Sequence, residues 1–269
     1  MSTDKRRARG IPQPAASRGR AARLRPAGAA PGHGSESSYD AIAELYDDWS
    51  RSVTEDIGFY VDEALAAGAP VVELGVGSGR VAVPVAQAGV RVIGVDSSRG
   101  MLDVCRRRAE AAGVADLLDL REGDLRRPPV SARVRLVTAP FRSLLHLESD
   151  AGRLDALAAA RELLVPGGRL VFDVFAPSRE DIEETNGRWL EREPGIWERA
   201  DWNEREQVLT LSVKGDAGGA SMRLAWLAPE RWRELLTRSG FEVLECYGWF
   251  DRTPYWGGED TVWIAERAD

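Results

Sequence analysis

The chain has 269 residues, 43% of them apolar and 29% charged, ordinary values for a folded soluble protein of one large domain with an appendage, or two small domains. No apolar run nears the roughly 18 residues that a membrane-spanning helix needs. Two cysteines, Cys105 and Cys246, exclude a disulfide framework or a thiolate metal cluster, so a reducing, cytoplasmic setting and no metal are expected. Residues 1–32 hold eight basic side chains against one acid, which leaves 28 basic and 42 acidic residues, a net −14, on the rest of the chain. An acidic body disfavours a nucleic-acid groove built into the fold.

Residues 1–38, rich in Arg, Ala, Pro, Gly and Ser and without apolar periodicity, read as a disordered basic leader. Folding signals begin at Tyr39, where Tyr39–Tyr46 and then Ile57–Leu65 show apolar residues at helical spacing. From position 70, β-branched runs at Val71–Leu74, Val90–Val95, Leu117–Glu122, Val134–Ala139 and Leu170–Phe175 alternate with helical patterns at Val81–Ala88, Arg99–Ala112 and Arg153–Leu164. Strands alternating with helices of this length predict crossover connections and a doubly wound, mostly parallel α/β sheet.

After Pro177 the texture changes. Residues 178–227 contain short alternating segments, with the turn Asp216-Ala-Gly-Gly219 and no helix-length pattern. They predict an antiparallel flap inserted into the main domain of 39–269. Pro229–Arg238 then predicts a helix with proline in its first turn and Gly240 behind it. Phe241–Trp249 and Thr261–Ala265 supply two last strands, making seven in the main sheet.

The chemistry is concentrated at Glu73-Leu-Gly75-Val-Gly77-Ser-Gly79, between the first strand and a helix. Alternating glycines allow a tight turn and let a ligand approach the backbone, at the strand end where open α/β sheets bind ligands. A dinucleotide fingerprint needs glycine where Arg80 stands, and Glu73 would repel a pyrophosphate but attract a sulfonium or an amine. A nicotinamide dehydrogenase is therefore disfavoured.

With Glu73–Gly79, Asp96 closing the second strand, Asp124 in Glu122-Gly-Asp-Leu125, and Leu164-Val-Pro-Gly-Gly before the fifth strand, the chain resembles the class I S-adenosylmethionine-dependent methyltransferases over about residues 39–267. The resemblance implies that the glycine loop holds the amino-acid half of S-adenosylmethionine and that Asp96 bonds the ribose hydroxyls. It also implies that Met101 packs on the purine and that Asp124 meets the adenine amino group. Ser97, Leu125 and Pro140 border the same expected site. Tyr39 and Tyr46, on a lid helix, and Arg80, behind the loop, are candidates for the cofactor carboxylate.

For the acceptor, the segment after the fourth strand holds Phe141, Arg142 and His146. His146 is a candidate general base near neutral pH, with a cap or packing role as the alternative. Eight of the nine tryptophans lie after Pro177, and Trp189, Trp197, Tyr247, Trp249 and Tyr255 are expected to line an aromatic acceptor pocket, or else to build the core of the flap. The reading is transfer of a methyl group to oxygen or nitrogen of a small molecule, by a monomer or homodimer without membrane attachment. RNA or DNA methylation guided by the leader, and a non-catalytic cofactor-binding protein, are the alternatives.

Overall fold

The computed structural model describes residues 39–216 and 218–269. The basic leader expected at 1–38 lies outside the described residues. Among the described residues, no helix is long and apolar enough to cross a membrane.

The apolar runs become a sheet because their β-branched residues are covered on both faces. Strands β1 (Val71–Leu74), β2 (Val92–Asp96), β3 (Leu118–Glu122), β4 (Val134–Ala139), β5 (Leu164–Phe175), β10 (Phe241–Tyr247) and β11 (Asp260–Arg267) form seven strands in the order β10-β11-β5-β4-β1-β2-β3. The pairs β3–β2–β1–β4–β5 are parallel, and β11 runs antiparallel between β5 and β10. The order turns back beside β1, which makes the carboxyl ends of β1 and β4 the switch point at which such sheets bind ligands.

One face of the sheet packs against helices α2 (Ile57–Ala67), α3 (Ala82–Gln87) and α4 (Arg99–Ala111), with Phe59, Tyr60, Val85, Leu102 and Cys105 in that layer. The opposite face packs against α5 (Asp150–Leu163) and α7 (Pro229–Arg238), where Phe172, Trp232 and Trp263 are fully buried. A third cluster joins helix α1 (Ala43–Trp49) to α4 and to the second sheet through Ile42, Tyr46, Met101, Val104, Val213 and Met222.

The segment read as a flap is a separate antiparallel sheet, β6 (Trp189–Glu193), β7 (Ile196–Asn203), β8 (Val208–Gly215) and β9 (Gly218–Ala225), in sequential order. The expectation of no helix there needs correction. Helix α6 (Arg179–Thr185) precedes β6, started by a capping box in which the Ser178 hydroxyl and the Asp181 side chain satisfy each other's backbone N–H groups. The helix is almost wholly polar, so capping rather than an apolar stripe marks it. Arg153, only 3% exposed, ties α5 to the flap by donating to the Ala225 carbonyl at 2.9 Å.

Close packing sets one residue of the sheet by size. A Cβ on Gly94 in β2 would lie 2.8 Å from Val76 Cγ2 and 2.9 Å from Leu120 Cδ2, well inside van der Waals contact. Gly94→Val is therefore expected to cost about 1–3 kcal/mol, read as a fall in thermal midpoint of about 2–4 °C per kcal/mol for a domain of this size. An unchanged midpoint in differential scanning calorimetry would contradict this packing.

Candidate functional site

The loop after β1 has Gly75, Gly77 and Gly79 at φ +74°, +54° and +78°. Those angles favour glycine, and space demands it too: a Cβ on Gly75 would lie 2.5 Å from Ser143 Oγ, and one on Gly79 2.5 Å from Cys105 Sγ. The amides of Gly75 and Val76 both donate to the Val95 carbonyl of β2, at 2.8 and 3.0 Å. Asp96 fixes the rest of the loop. One carboxylate oxygen accepts from the Gly77 amide and the other from the Ser98 amide, each at 2.8 Å. Burial pushes the Asp96 pKa up and these backbone donors oppose it. Ser97, beside it, is exposed.

Glu73 differs from Asp96 in having no such donors. It is 3% exposed, and its carboxylate accepts no hydrogen bond from the described residues. Burial raises its pKa to about 8, with Arg80 opposing and Asp56 and Asp96 adding to the rise. A buried carboxylate in this condition favours the neutral acid until a cation arrives.

The lid expected from Tyr39 onward is a short 3-10 turn, Asp40–Ile42, leading into α1. Asp40 holds it down by accepting from the Ser98 hydroxyl and the Gly100 amide, both at 2.7 Å. The Tyr46 ring makes edge contacts with Tyr39, Trp49 and Phe141. Tyr39 reaches further, with its hydroxyl 3.0 Å from His146 Nε2. Burial lowers the His146 pKa to about 4, against the opposing effect of its hydrogen bond to the Arg223 backbone. The imidazole is therefore neutral at pH 7.

The segment after β4 is strained. Phe141 and Arg142 have φ of +52° and +65°, a region that side chains other than glycine rarely occupy. Asp173 of β5 accounts for it: its carboxylate accepts from the Phe141 amide at 2.7 Å, the Arg142 amide at 3.1 Å and the Tyr60 hydroxyl at 2.6 Å. Asp173 is 7% exposed, and burial raises its pKa to about 6. Pro140 is buried and its carbonyl accepts the Ser143 hydroxyl at 2.6 Å.

Several expected roles need correction. The Arg80 guanidinium is already engaged by Asp56, through two bonds of 2.7 and 2.6 Å, and by the Val53 carbonyl. It also lies 4.4 Å over the Phe141 ring, so it buttresses the loop and is not held ready for a ligand carboxylate. Asp124 is chelated by Arg126, whose guanidinium and amide both donate to it and pull its pKa down. An adenine amino group would have to compete with that fork. Leu125 packs on the large core cluster. Met101 is 2% exposed in the cluster under the lid, with its methyl 3.3 Å from where a Cβ on Gly77 would lie.

The aromatic residues divide by strand alternation. Glu198, Ala200 and Trp202 of β7 share a face with Val213, Leu211 and Leu209 of β8, and with Ala220, Met222 and Leu224 of β9; this face packs on the domain. Trp197 and Trp189 belong to the other face. Trp197 is 38% exposed, and Lys214 Nζ stands 4.0 Å over the Trp189 ring. They line neither the cleft nor the core. Tyr247 packs edge-on to Phe59, and Trp249 on Phe250, on the α2 side. Tyr255 instead lines a shallow cavity with Pro229, Arg233 and Trp263. These residues do not converge on one pocket. Arg142 is half-buried, paired with Asp260 at 3.2 Å and 4.5 Å over the Phe175 ring.

Asp40, Asp56, Tyr60 and Asp173 were not among the expected site residues. Asp173 carried a signal, a lone acid inside the apolar run Leu170–Phe175. The others rest on pairings between distant segments.

Comparisons with known proteins converge on one chemistry. A family model described as a methyltransferase domain matches residues 71–168. An uncharacterized methyltransferase from Geobacillus kaustophilus is 33% identical over 184 residues, 65% of this chain and 79% of that protein. The solved structure of the CcbJ methyltransferase from Streptomyces caelestis is similar at 27% identity and a TM-score of 0.75, over 87% of this chain and 99% of that one. The S-adenosylmethionine-bound structure of CalS10, an amino pentose methyltransferase from Micromonospora echinaspora, is similar at 20% identity and a TM-score of 0.60, covering 84% and 97% of the two chains.

The state of Glu73 gives a pH test. A cationic ligand binds its ionised form, which is the minor form below about pH 8, so affinity should rise with pH as the proton is shed. Titration calorimetry with S-adenosylmethionine between pH 6 and 7.5 should show affinity climbing by up to about tenfold per pH unit. In Glu73→Gln the climb should vanish. Equal slopes in the two proteins would contradict a role for Glu73 in balancing the ligand's charge.

Proposed function

This chain belongs to the class I S-adenosylmethionine-dependent methyltransferases, and from that premise we propose that it methylates an oxygen or nitrogen of a small-molecule acceptor. The observation that carries this reading is the Tyr39–His146 contact beside the glycine loop, a neutral base held where a lid closes on the cleft.

The residues fit the cofactor. A buried carboxylate without a hydrogen-bond donor, Glu73, suits a ligand carrying positive charge, and the glycine loop lets its amino-acid half reach the backbone. Asp96, at the end of β2, would accept from the ribose hydroxyls, as an acid does at the equivalent strand end of dinucleotide folds. When bound, S-adenosylmethionine supplies a methyl group on a sulfonium, already activated for in-line displacement.

What remains for the protein is to orient the acceptor, exclude water and take a proton. The lid helix and the four-stranded sheet cover the cleft, joined by the Trp49 Nε1 bond to Glu198 at 3.0 Å. His146 is uncharged at neutral pH, one ring nitrogen is bonded to the Arg223 backbone and Nε2 lies on the Tyr39 hydroxyl, so a proton leaving the acceptor reaches the imidazole through the phenol. Arg142, half-buried over the Phe175 ring, would offer a cationic group to a small acceptor. The acidic body supports a small molecule over a nucleic acid. CalS10 is described as acting on an amino pentose, an acceptor of that size.

Incubating the protein with methyl-labelled S-adenosylmethionine and cell extract, then tracing the label by mass spectrometry, tests the reading. Label is expected on a compound of low molecular weight as a new O- or N-methyl group. His146→Ala should lower incorporation by about 10²–10⁴-fold while S-adenosylmethionine binding stays within twofold. Label confined to RNA, DNA or protein would overturn the proposal.

A further inference from the structure

We infer that Asp173 is a positioning residue for methyl transfer, holding the segment after β4 in the one backbone conformation that completes the cofactor loop. The inference rests on the proposed function only in taking this segment as the wall beside the transferred methyl group.

Consecutive left-handed backbone at Phe141 and Arg142 is costly for residues with a Cβ and persists only where the surroundings over-determine it. Here both strained residues turn their amides to one carboxylate, one to each oxygen. Tyr60, fully buried on α2, donates to the oxygen that also accepts from the Phe141 amide and helps hold the carboxylate in place. A core with no further purpose would fill this place with an apolar residue like the phenylalanine and valine found on either side of it in β5. A buried acid is retained at a cost, and what it holds is the backbone next to the cleft.

The hold is transmitted to the loop. Directly after the strained pair, Ser143 Oγ bonds back to the Pro140 carbonyl and occupies the space that a Cβ on Gly75 would need. The Phe141 ring lies against Arg80 and Tyr46. A shift of 141–143 is therefore passed to Gly75 on one side and to the lid on the other. Asp96, where the ribose is expected, lies three strands from Asp173 in the order β5-β4-β1-β2, about 14 Å at the usual strand spacing. The effect of Asp173 should fall on the methionine end of the cofactor and spare the adenosine end.

The test uses the full chain, no acceptor, and two probes, S-adenosylmethionine and adenosine. In Asp173→Asn one loop amide loses its acceptor, because the carboxamide offers a single oxygen. Hydrogen exchange of a peptide covering 140–143 should accelerate at least tenfold, S-adenosylmethionine affinity should fall five- to twentyfold, and adenosine affinity should stay within twofold. Unchanged exchange, or equal weakening of both probes, would overturn the inference. Tyr60→Phe removes one of the three bonds and decides the matter if the first variant does not fold. It should shift S-adenosylmethionine affinity two- to fivefold in the same direction with adenosine unaffected, and no shift overturns the inference. Methyl label appearing on a macromolecule would refute the acceptor reading and leave these binding results as they are.

Discussion

A relay of hydrogen bonds through Asp96 holds the cleft together. Gly77 donates to one oxygen of its carboxylate and Ser98 to the other, and Ser98 in turn donates through its hydroxyl to Asp40 of the lid. Loop, second strand, fourth helix and lid are thereby joined end to end by four residues. Short hydrogen bonds to a carboxylate are among the stronger ones available, and each here replaces water that a closed cleft would expel. The position of the lid over the loop depends on this relay, and through Tyr39 so does the setting of His146.

The same cleft collects buried acids. Glu73, Asp56, Asp96 and Asp173 all sit near the carboxyl ends of β1, β2 and β5 or beside them, and Arg80 and Arg142 answer them with positive charge. Three of the four are satisfied locally, Asp56 by Arg80, Asp96 by backbone amides, and Asp173 by two amides and a phenol. Glu73 is left over. An arrangement of this kind is poised for a cation, and a sulfonium with an ammonium group supplies that charge. The acids thus divide into those that build the site and one that awaits its ligand.

Much of this was legible in the chain itself. Alternating β-branched runs and helical patterns located β1 to β4 to within two residues, because a sheet covered on both faces imposes that composition, while β5 begins at Leu164, six residues before the expected Leu170. Glu73, the three glycines and Asp96 stood out because each is a polar or bare position ending an apolar strand. What stayed hidden depends on pairing across the fold. Arg80 finds Asp56 from 24 residues away, and Asp173 finds Tyr60 from 113 residues away; no local pattern announces either bond. Helix α6 was missed because its polar sequence has no apolar stripe. Trp189 and Trp197 were misplaced because residue type was weighed without the strand's alternation, which turns both away from the domain.

The central claim is that the cofactor lies across the carboxyl ends of β1 and β2, with its amino-acid half at Glu73 and the glycine loop and its ribose at Asp96. A crystal structure of the protein with S-adenosylhomocysteine tests it most directly. The account predicts ribose hydroxyls within hydrogen-bond distance of the Asp96 carboxylate and the amino group on the Glu73 side of Gly75–Gly79. A ligand bound with its ribose away from Asp96, or with its amino-acid half remote from that loop, would contradict it.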